Sequence, residues 1–303
     1  MKRGIWVRLF DLHCDTLGCL ADGRKSAVDM RRGGCYDLWT QVFAAWLADG
    51  ETPEQARGHC EMLLDSAWQL GRQAMRVEDR DSLCDTTHIC RALLAVENGG
   101  ATAADFPYLA YLYRRGVRLI TLTWNGDGPW GSGCFGGTDG LTAYGKQAVR
   151  DMESLGITVD VSHLNAAGFR DVAAMATRPF IASHSNSYAV HPHPRNLTDA
   201  QFCAVRDSGG VVGLNLYGDH LGGWDFSAFQ RHLEHFLALN GERTVCIGSD
   251  LDGMEIPDVW EGICVFDKLW QHLKGEGYPE PLLDAVFYSN AFAFFSKTLA
   301  AKT

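Results

Sequence analysis

Eight short apolar runs, separated mostly by segments with helical spacing of apolar residues, constrain the fold of this chain most strongly. Strands that alternate with helices indicate a parallel sheet, and eight such repeats indicate a single-domain (β/α)₈ TIM-type barrel. The predicted strands span residues 7–12, 40–47, 91–96, 117–123, 156–161, 179–183, 210–216 and 244–249. The main predicted helices span residues 53–75, 103–115, 142–155, 165–176 and 226–239.

No linker, repeat or low-complexity tract divides the 303 residues, so we expect one domain over residues 1–303. The longest predicted loop, residues 124–139, is rich in glycine. Long loops in compact domains are usually functional, and this one is predicted to border an active site.

The composition indicates which binding partners and which cellular compartment are to be expected. A net charge of -10 disfavours nucleic acids, which bind basic protein faces. No signal-peptide pattern and no long uncharged apolar run is visible, so we expect no membrane partner. The ten cysteines are scattered without a Cys-x-x-Cys pair. This indicates reduced, mostly buried thiols and a cytoplasmic protein rather than a disulfide framework.

The first apolar run, residues 5–10, leads into Asp11-Leu12-His13-Cys14-Asp15. Residues two apart point to the same side of a strand, so His13 and Asp15 are predicted to lie together at its end, with Cys14 pointing away. An imidazole and a carboxylate are half of a metal site. An aspartate that merely orients a buried histidine fits this motif equally well.

Other predicted strands also end in potential ligands. In a (β/α)₈ barrel, function lies at the carboxyl ends of the strands. Each residue taken singly also suits a structural role, but together they favour a metal site. They are His13, Asp15, Glu97, His163, His184 and Asp250. The histidines assigned structural roles are His59, His88, His220, His232, His235 and His272.

These residues belong to a longer series of motifs. The series resembles the renal (membrane) dipeptidase family of zinc peptidases over nearly the whole chain, and it suggests a soluble, bacterial-type member. The motifs are Asp11-x-His13-x-Asp15, Val96-Glu97-Asn98-Gly99-Gly100, Leu119-Ile120-Thr121-Leu122-Thr123, Gly140-Leu141-Thr142, Asp160-Val161-Ser162-His163, Ser183-His184-Ser185, Arg195-Asn196 and Gly248-Ser249-Asp250-Leu251-Asp252-Gly253.

The resemblance implies a binuclear zinc site. His13 and Asp15 would bind one ion, His163 and His184 would bind the other, and Glu97 would bridge the two. Two close cations lower the pKa of a water that they share, so that a bridging hydroxide can attack a polarised carbonyl.

Two more residues acquire roles from the resemblance. Asp250 matches the family's acid/base aspartate, which can move a proton to the leaving amine. Arg195 matches the arginine that contacts the substrate carboxylate, for which a guanidinium is suited. From the residues alone, Arg195 in a surface ion pair remains the alternative.

The chain departs from the family's animal members at Trp124, where those members carry a histidine assigned to binding the scissile carbonyl oxygen. An indole can only donate a hydrogen bond, through Nε1. Trp124 is therefore either a weaker donor or an apolar wall of the substrate site, and we favour the wall. Asn98 in place of the family's glycine after Glu97 is a minor change.

The sequence thus predicts a zinc-dependent dipeptidase with a small dipeptide substrate carrying a free C-terminal carboxylate. It allows a homodimer. The alternatives are a metal-dependent hydrolase of other small amides, such as N-acyl amino acids, and a catalytically silent barrel that binds a ligand.

Overall fold

A computed structural model of the protein describes residues 7–301. It contains one large parallel sheet and a small antiparallel hairpin. The strands are β1 (Leu9–Cys14), β2 (Trp39–Trp46), β3 (Ala74–Arg76), β4 (Cys90–Glu97), β5 (Val117–Thr121), β6 (Asp127–Gly128), β7 (Gly131–Ser132), β8 (Thr158–Asp160), β9 (Val212–Leu214) and β10 (Val245–Ile247).

The large sheet closes into a barrel. Its strands follow the order β8-β5-β4-β2-β1-β10-β9, all paired in parallel. Two isolated parallel bridges, Asp160 with Ile181 and Ala182 with Val212, join β8 to β9 and complete the ring. The predicted (β/α)₈ barrel is confirmed.

Three details differ from the sequence prediction. Residues 179–183 do not form a continuous strand. They belong to the barrel wall through two isolated bridges, which Ile181 and Ala182 make. The predicted helix 53–75 ends at Ser66, and Ala74–Arg76 forms the extra strand β3 beside β4. The predicted loop 124–139 contains the hairpin β6–β7. Ile5 and Trp6 of the first apolar run lie outside the described residues.

The helices surround the sheet and follow most of the strands. They are α1 (Thr16–Ala21), α2 (Met30–Gly33), α3 (Pro53–Ser66), α4 (Arg80–Leu83), α5 (Phe106–Arg114), α6 (Ala143–Leu155), α7 (Ala166–Met175), α8 (Asp199–Asp207), α9 (Gly218–Leu221), α10 (Phe226–Ala238), α11 (Val265–Gly275), α12 (Glu280–Asp284) and α13 (Asn290–Thr298). Short 3₁₀ turns cover Ala67–Gln73, Gly99–Thr102, Asp258–Trp260 and Gly262–Cys264, and a π turn covers Ala285–Ser289.

Side-chain caps set where several of these helices begin. Thr142, Asn165, Thr198 and Asp225 each accept a hydrogen bond from the backbone N–H three residues later, so an otherwise unpaired donor is satisfied. A side-chain cap of this type is worth about 1 kcal/mol. These caps hold the helices that follow the strands bearing the candidate site.

Alternation along the strands divides the apolar core in two. Leu9, Phe43 and Val96 belong to one buried cluster. Phe10 and Leu12 belong to the other, in which the ring of Phe10 stacks on Phe295 at 5.4 Å. The strands are thus apolar on both sides, as expected for a parallel sheet that is covered on both faces.

All ten cysteines lie within the described residues and are free. Five of the ten thiols are buried, fewer than the sequence prediction of mostly buried thiols.

Candidate metal centre and active site

The predicted site residues converge on one cavity of about 820 Å³ at the carboxyl ends of the strands. Two of them, His13 and His184, are buried and lie within 3.7 Å of Glu97. The other six line the cavity: Asp15, Glu97, Trp124, His163, Arg195 and Asp250. The structure therefore brings together all eight residues named from the sequence.

Glu97, the last residue of β4, lies between His13 on one side and His163 and His184 on the other. Its Oε2 is 3.3 Å from Nε2 of His13. Its Oε1 is 2.7 Å from Nε2 of His163 and 3.7 Å from Nε2 of His184. Each carboxylate oxygen thus faces a different group, which is the arrangement that a carboxylate needs to bridge two cations.

Hydrogen bonds to the other ring nitrogens orient two of these imidazoles. Nδ1 of His163 donates to Oδ1 of Asn125 at 2.9 Å. Nδ1 of His184 lies 2.7 Å from Oγ of Ser183, whose own proton goes to Asp160. Both rings therefore carry their proton on Nδ1 and offer the Nε2 lone pair to the site. Such contacts behind a ligand fix its tautomer and direction.

The two lone pairs face each other, with only 2.9 Å between Nε2 of His163 and Nε2 of His184. Two acceptors at this distance repel unless a proton or a cation lies between or beside them. Burial, together with the charges of Arg195 and His13, holds the pKa of both imidazoles well below its ordinary value. Protonation is thus disfavoured, and a metal ion suits the arrangement.

The opposite group also presents unsatisfied ligand atoms. Nε2 of His13 and Oδ1 of Asp15 are buried without a hydrogen-bond partner, and they lie 3.7 Å apart. Ligand atoms of His13, Asp15 and Asp250 lie within 4.8 Å of one another, as do those of His13, Glu97 and His184. Imidazole nitrogens and carboxylate oxygens are zinc ligands. The donor set therefore fits metal ions.

A buried aspartate braces the His13 side. Asp11 accepts hydrogen bonds from the backbone N–H of Ser249 at 2.8 Å, from its Oγ at 2.5 Å and from the backbone N–H of His13 at 3.3 Å. Ser249 directly precedes Asp250, so one carboxylate ties the ends of β1 and β10 together. Burial raises the pKa of Asp11, while these hydrogen bonds oppose the rise.

A second buried aspartate has the same role on the other side. Asp160, the last residue of β8, accepts from the backbone N–H of Ser183 at 2.9 Å, from its Oγ at 2.5 Å and from the backbone N–H of Ser162 at 3.0 Å. Each serine directly precedes a candidate ligand, His163 or His184. Both ligands are therefore positioned through the same carboxylate.

Asp250 reaches the cavity from a left-handed backbone conformation with φ of 66°, and His163 does so with φ of 67°. Oδ2 of Asp250 accepts from Nδ2 of Asn215 at 2.9 Å. Gly253 allows the close approach, because a Cβ there would collide with Oδ2 of Asp15 and lie 2.6 Å from Oδ1 of Asp250. Burial raises the pKa of Asp250 to about 6, and Asp15 adds to the rise against the opposing effect of His13. A carboxyl that titrates near neutrality suits proton transfer.

Arg195 lines the cavity with only 4% of its surface exposed. Its Nη2 donates to the carbonyl oxygen of His184 at 3.2 Å, whereas its buried Nε has no partner. Within residues 7–301, Arg195 has no salt bridge, so the surface ion pair considered from the sequence is not formed. A buried guanidinium without a counter-ion is suited to an anionic ligand.

Trp124 lies three residues beyond the end of β5 and near His163, with 6.5 Å between the two ring centroids. It packs edge to face with Trp46, with ring centroids 5.0 Å apart and planes at 80°. Both indoles line the cavity. This position agrees with a wall of the site.

Several residues at or beside the cavity were not predicted from the sequence. Asn125 and Asn215 are recognisable only through their contacts with His163 and Asp250, which link residues far apart in the chain. His220, assigned a structural role from the sequence, lines the cavity. Burial and the charge of Arg195 lower its pKa to about 2. Its separation of 25 residues from Arg195 hid this proximity.

Two solved structures with the same fold are described as metallopeptidases. The metallopeptidase called dipeptidase AC, of family M19, is 26% identical with a TM-score of 0.89, and the match covers 98% of this chain and 100% of the other. A metallopeptidase from Rhodobacter sphaeroides, liganded with a phosphinate mimic of the dipeptide L-Ala-D-Ala, is 25% identical with a TM-score of 0.88, covering 97% and 100%. Fold and site together define a metal-dependent hydrolase of the barrel type.

Sequence comparison defines the family. The sequence profile of the membrane dipeptidase family, peptidase family M19, matches residues 9–303. A protein of Klebsiella pneumoniae, described as uncharacterized and encoded in the pqqA 5' region, is 35% identical over 68% of this chain and 82% of its own length. An uncharacterized dipeptidase of Schizosaccharomyces pombe is 34% identical over 53% of this chain and 41% of its own length. The chain belongs to the membrane dipeptidase family, and these findings together support a metal-dependent dipeptidase.

Despite the family's name, no helix in residues 7–301 combines the length and the apolar character needed to cross a bilayer.

Proposed function

We propose that the protein is a binuclear zinc dipeptidase that hydrolyses dipeptides with a free C-terminal carboxylate. His13 and Asp15 would hold one zinc ion, and His163 and His184 would hold the second. Glu97 would bridge them. When bound, two zinc ions would activate a water molecule and polarise the scissile carbonyl.

The observation that carries this proposal is that the two carboxylate oxygens of Glu97 face different histidines on opposite sides. Its Oε2 lies 3.3 Å from His13 and its Oε1 lies 2.7 Å from His163. In the absence of cations, burial raises the pKa of Glu97 to about 7, which shows how costly the bare carboxylate is there. Two cations would stabilise the ionised form, and the carboxylate would reduce their mutual repulsion.

Asp250 would exchange the proton. Asn215 engages its Oδ2, so Oδ1 remains directed at the space beside Asp15. A carboxyl with a raised pKa can take a proton from the attacking water and deliver it to the leaving amine. Asp250 also lies within ligand distance of His13 and Asp15, and a test of metal occupancy distinguishes a proton carrier from a third ligand on that side.

Arg195 would bind the substrate carboxylate through its free Nε and its Nη atoms. The Rhodobacter sphaeroides structure, which holds a mimic of a dipeptide, supports a substrate of this size in the same fold. Trp124 would be a wall rather than a hydrogen-bond donor, because its ring is held against Trp46.

Zinc-loaded protein assayed against a panel of dipeptides, with metal analysis of the same sample, tests the proposal. We expect turnover of free dipeptides at up to two zinc ions per chain. Turnover of N-acyl amino acids without turnover of any dipeptide would assign the site to other small amides. No turnover of either class, at full metal content, would indicate a silent ligand-binding barrel. The cytoplasmic location and the homodimer stay predictions.

A further inference from the structure

The cavity is chemically asymmetric around the candidate metal centre. On the side of the segments that follow residues 179–183, β9 and β10, its lining includes Arg195, His220 and Asp250, all of them polar. On the side of β2 and β5, the lining includes the indoles of Trp46 and Trp124. The two sides face each other across the mouth of the barrel.

The two tryptophans lie beside the reacting centre. Trp46 is the last residue of β2 and is paired in register with Glu97 on β4. Trp124 is 6.5 Å from the ring of His163. Their edge-to-face contact fixes each ring against the other, so they offer a preformed surface rather than two mobile side chains.

Aliphatic side chains extend this surface. Met62 and Leu63 also line the cavity, from helix α3, which packs against β2. Met62 is 49% exposed, so its side chain is accessible to a ligand in the cavity. The name aromatic wall is used below for the surface formed by Trp46 and Trp124 with the neighbouring side chains of Met62 and Leu63.

Charged groups near the aromatic wall are already paired. His59 lies 3.2 Å from Glu51, and Arg24 lies 3.0 Å from Asp22. Asp49 accepts from the backbone N–H of Gly126 at 2.7 Å and from the side chain of Asn98 at 3.2 Å. Among the described residues, these groups are thus already engaged with partners, which favours an apolar substrate side chain here.

We infer that the aromatic wall is a binding subsite for a large apolar side chain, aromatic ones above all, on the N-terminal residue of the substrate. The orientation rests on the proposed function: with the substrate carboxylate on Arg195, the N-terminal residue lies across the metal centre from it. The cavity of about 820 Å³ has room for such a side chain.

Steady-state kinetics with Phe-Ala, Ala-Ala and Ala-Phe tests this subsite. Burial of a phenyl group in place of a methyl group contributes about 1.5–3 kcal/mol, so we expect kcat/KM for Phe-Ala to exceed that for Ala-Ala by roughly 10- to 100-fold. We expect Trp46→Ala and Trp124→Ala each to reduce this ratio by about tenfold, whereas Trp124→Phe, which keeps an aromatic surface, retains most of it.

Trp68→Ala is the matched control, because Trp68 is 69% exposed, stacks on Arg76 and does not line the cavity. It should leave the Phe-Ala to Ala-Ala ratio unchanged. Metal content and circular dichroism identify any variant that fails to fold, and either tryptophan variant alone carries the test.

Three results would overturn the inference. Equal kcat/KM for Phe-Ala and Ala-Ala would refute the subsite while leaving dipeptidase activity intact. A preference for Ala-Phe that both alanine variants abolish would place the large side chain on the C-terminal residue instead. Failure of the zinc-loaded protein to cleave any of the three dipeptides would refute the proposed function and the subsite together.

Discussion

Asn125 offers a sharp test of how the candidate metal centre is held. Its Oδ1 is the acceptor for Nδ1 of His163 at 2.9 Å, and His163 is only 7% exposed. Replacing Asn125 with leucine keeps the approximate volume and removes the acceptor. His163 can then move its proton to Nε2 and donate it to Nε2 of His184, which lies 2.9 Å away. Metal binding must reverse that change.

The expected size of the effect follows from the buried N–H. Leaving such a donor unpaired costs about 1–3 kcal/mol, which corresponds to roughly a 5- to 150-fold loss of metal affinity. The measured range for groups that orient metal-bound histidines is similar, at about 10–100-fold. The loss should fall mainly on the site of His163 and His184, since within residues 7–301 neither His13 nor Asp15 forms a hydrogen bond with Asn125.

Zinc titration against a competing chelator measures both affinities. Asn125→Asp keeps an acceptor at the same place and should retain tight binding, which makes it the matched control. If Asn125→Leu binds two zinc ions as tightly as the parent, Asn125 does not position His163 and the tautomer assignment is wrong.

Four further predictions follow from the same geometry. Glu97→Gln should weaken both zinc sites in the same titration, because one carboxylate serves both; loss at a single site would exclude a bridge. Asp250→Asn should lower kcat by roughly 10²–10⁴-fold at unchanged zinc content, since asparagine tolerates the left-handed backbone at this position. A large loss of bound zinc would instead show that Asp250 is a metal ligand. Arg195→Ala should lower kcat/KM for free dipeptides by an amount equivalent to about 1.5–3 kcal/mol and should change it little for C-terminally amidated dipeptides. Equal losses for both would show that Arg195 does not recognise the substrate carboxylate. Burial lowers the pKa of His232 to about 4, so in chelator-treated protein the unfolded state takes up this proton first as the pH falls. His232 alone then contributes a loss of about 1.4 kcal/mol per pH unit to the free energy of unfolding between pH 6.5 and 4; urea unfolding of His232→Gln should show a loss that is shallower by this contribution, and an equally steep one would contradict this assignment.

The barrel was predictable because the strands that form it are continuous apolar runs. The ends of those runs also predicted the site, since parallel strands deliver their carboxyl ends to one rim. Residues 179–183 show the limit: their sequence suits a strand, but only Ile181 and Ala182 make bridges. Residues 74 and 75 were assigned to a helix by periodicity, but they pair with β4 as part of β3.

Contacts across the barrel were not predictable. Nothing local in the sequence places Trp46 against Trp124, because their contact depends on the register of β2, β4 and β5. The role of Asp160 is similar: the Asp-Val-Ser-His motif names it, but its hydrogen bonds to Ser183 require the neighbouring chain segment. Such residues are found only when the sheet is assembled.

The left-handed backbone at His163 and Asp250 limits which ligand exchanges evolution or redesign can make at this centre. Histidine, asparagine, aspartate and glycine accept φ near +65°, whereas a β-branched residue is strained there. The backbone at residue 163 therefore accepts aspartate as well as histidine. Because carboxylates favour harder cations such as Mn²⁺ and Mg²⁺, His163→Asp is the substitution at this position that would move the proposed centre toward a harder metal.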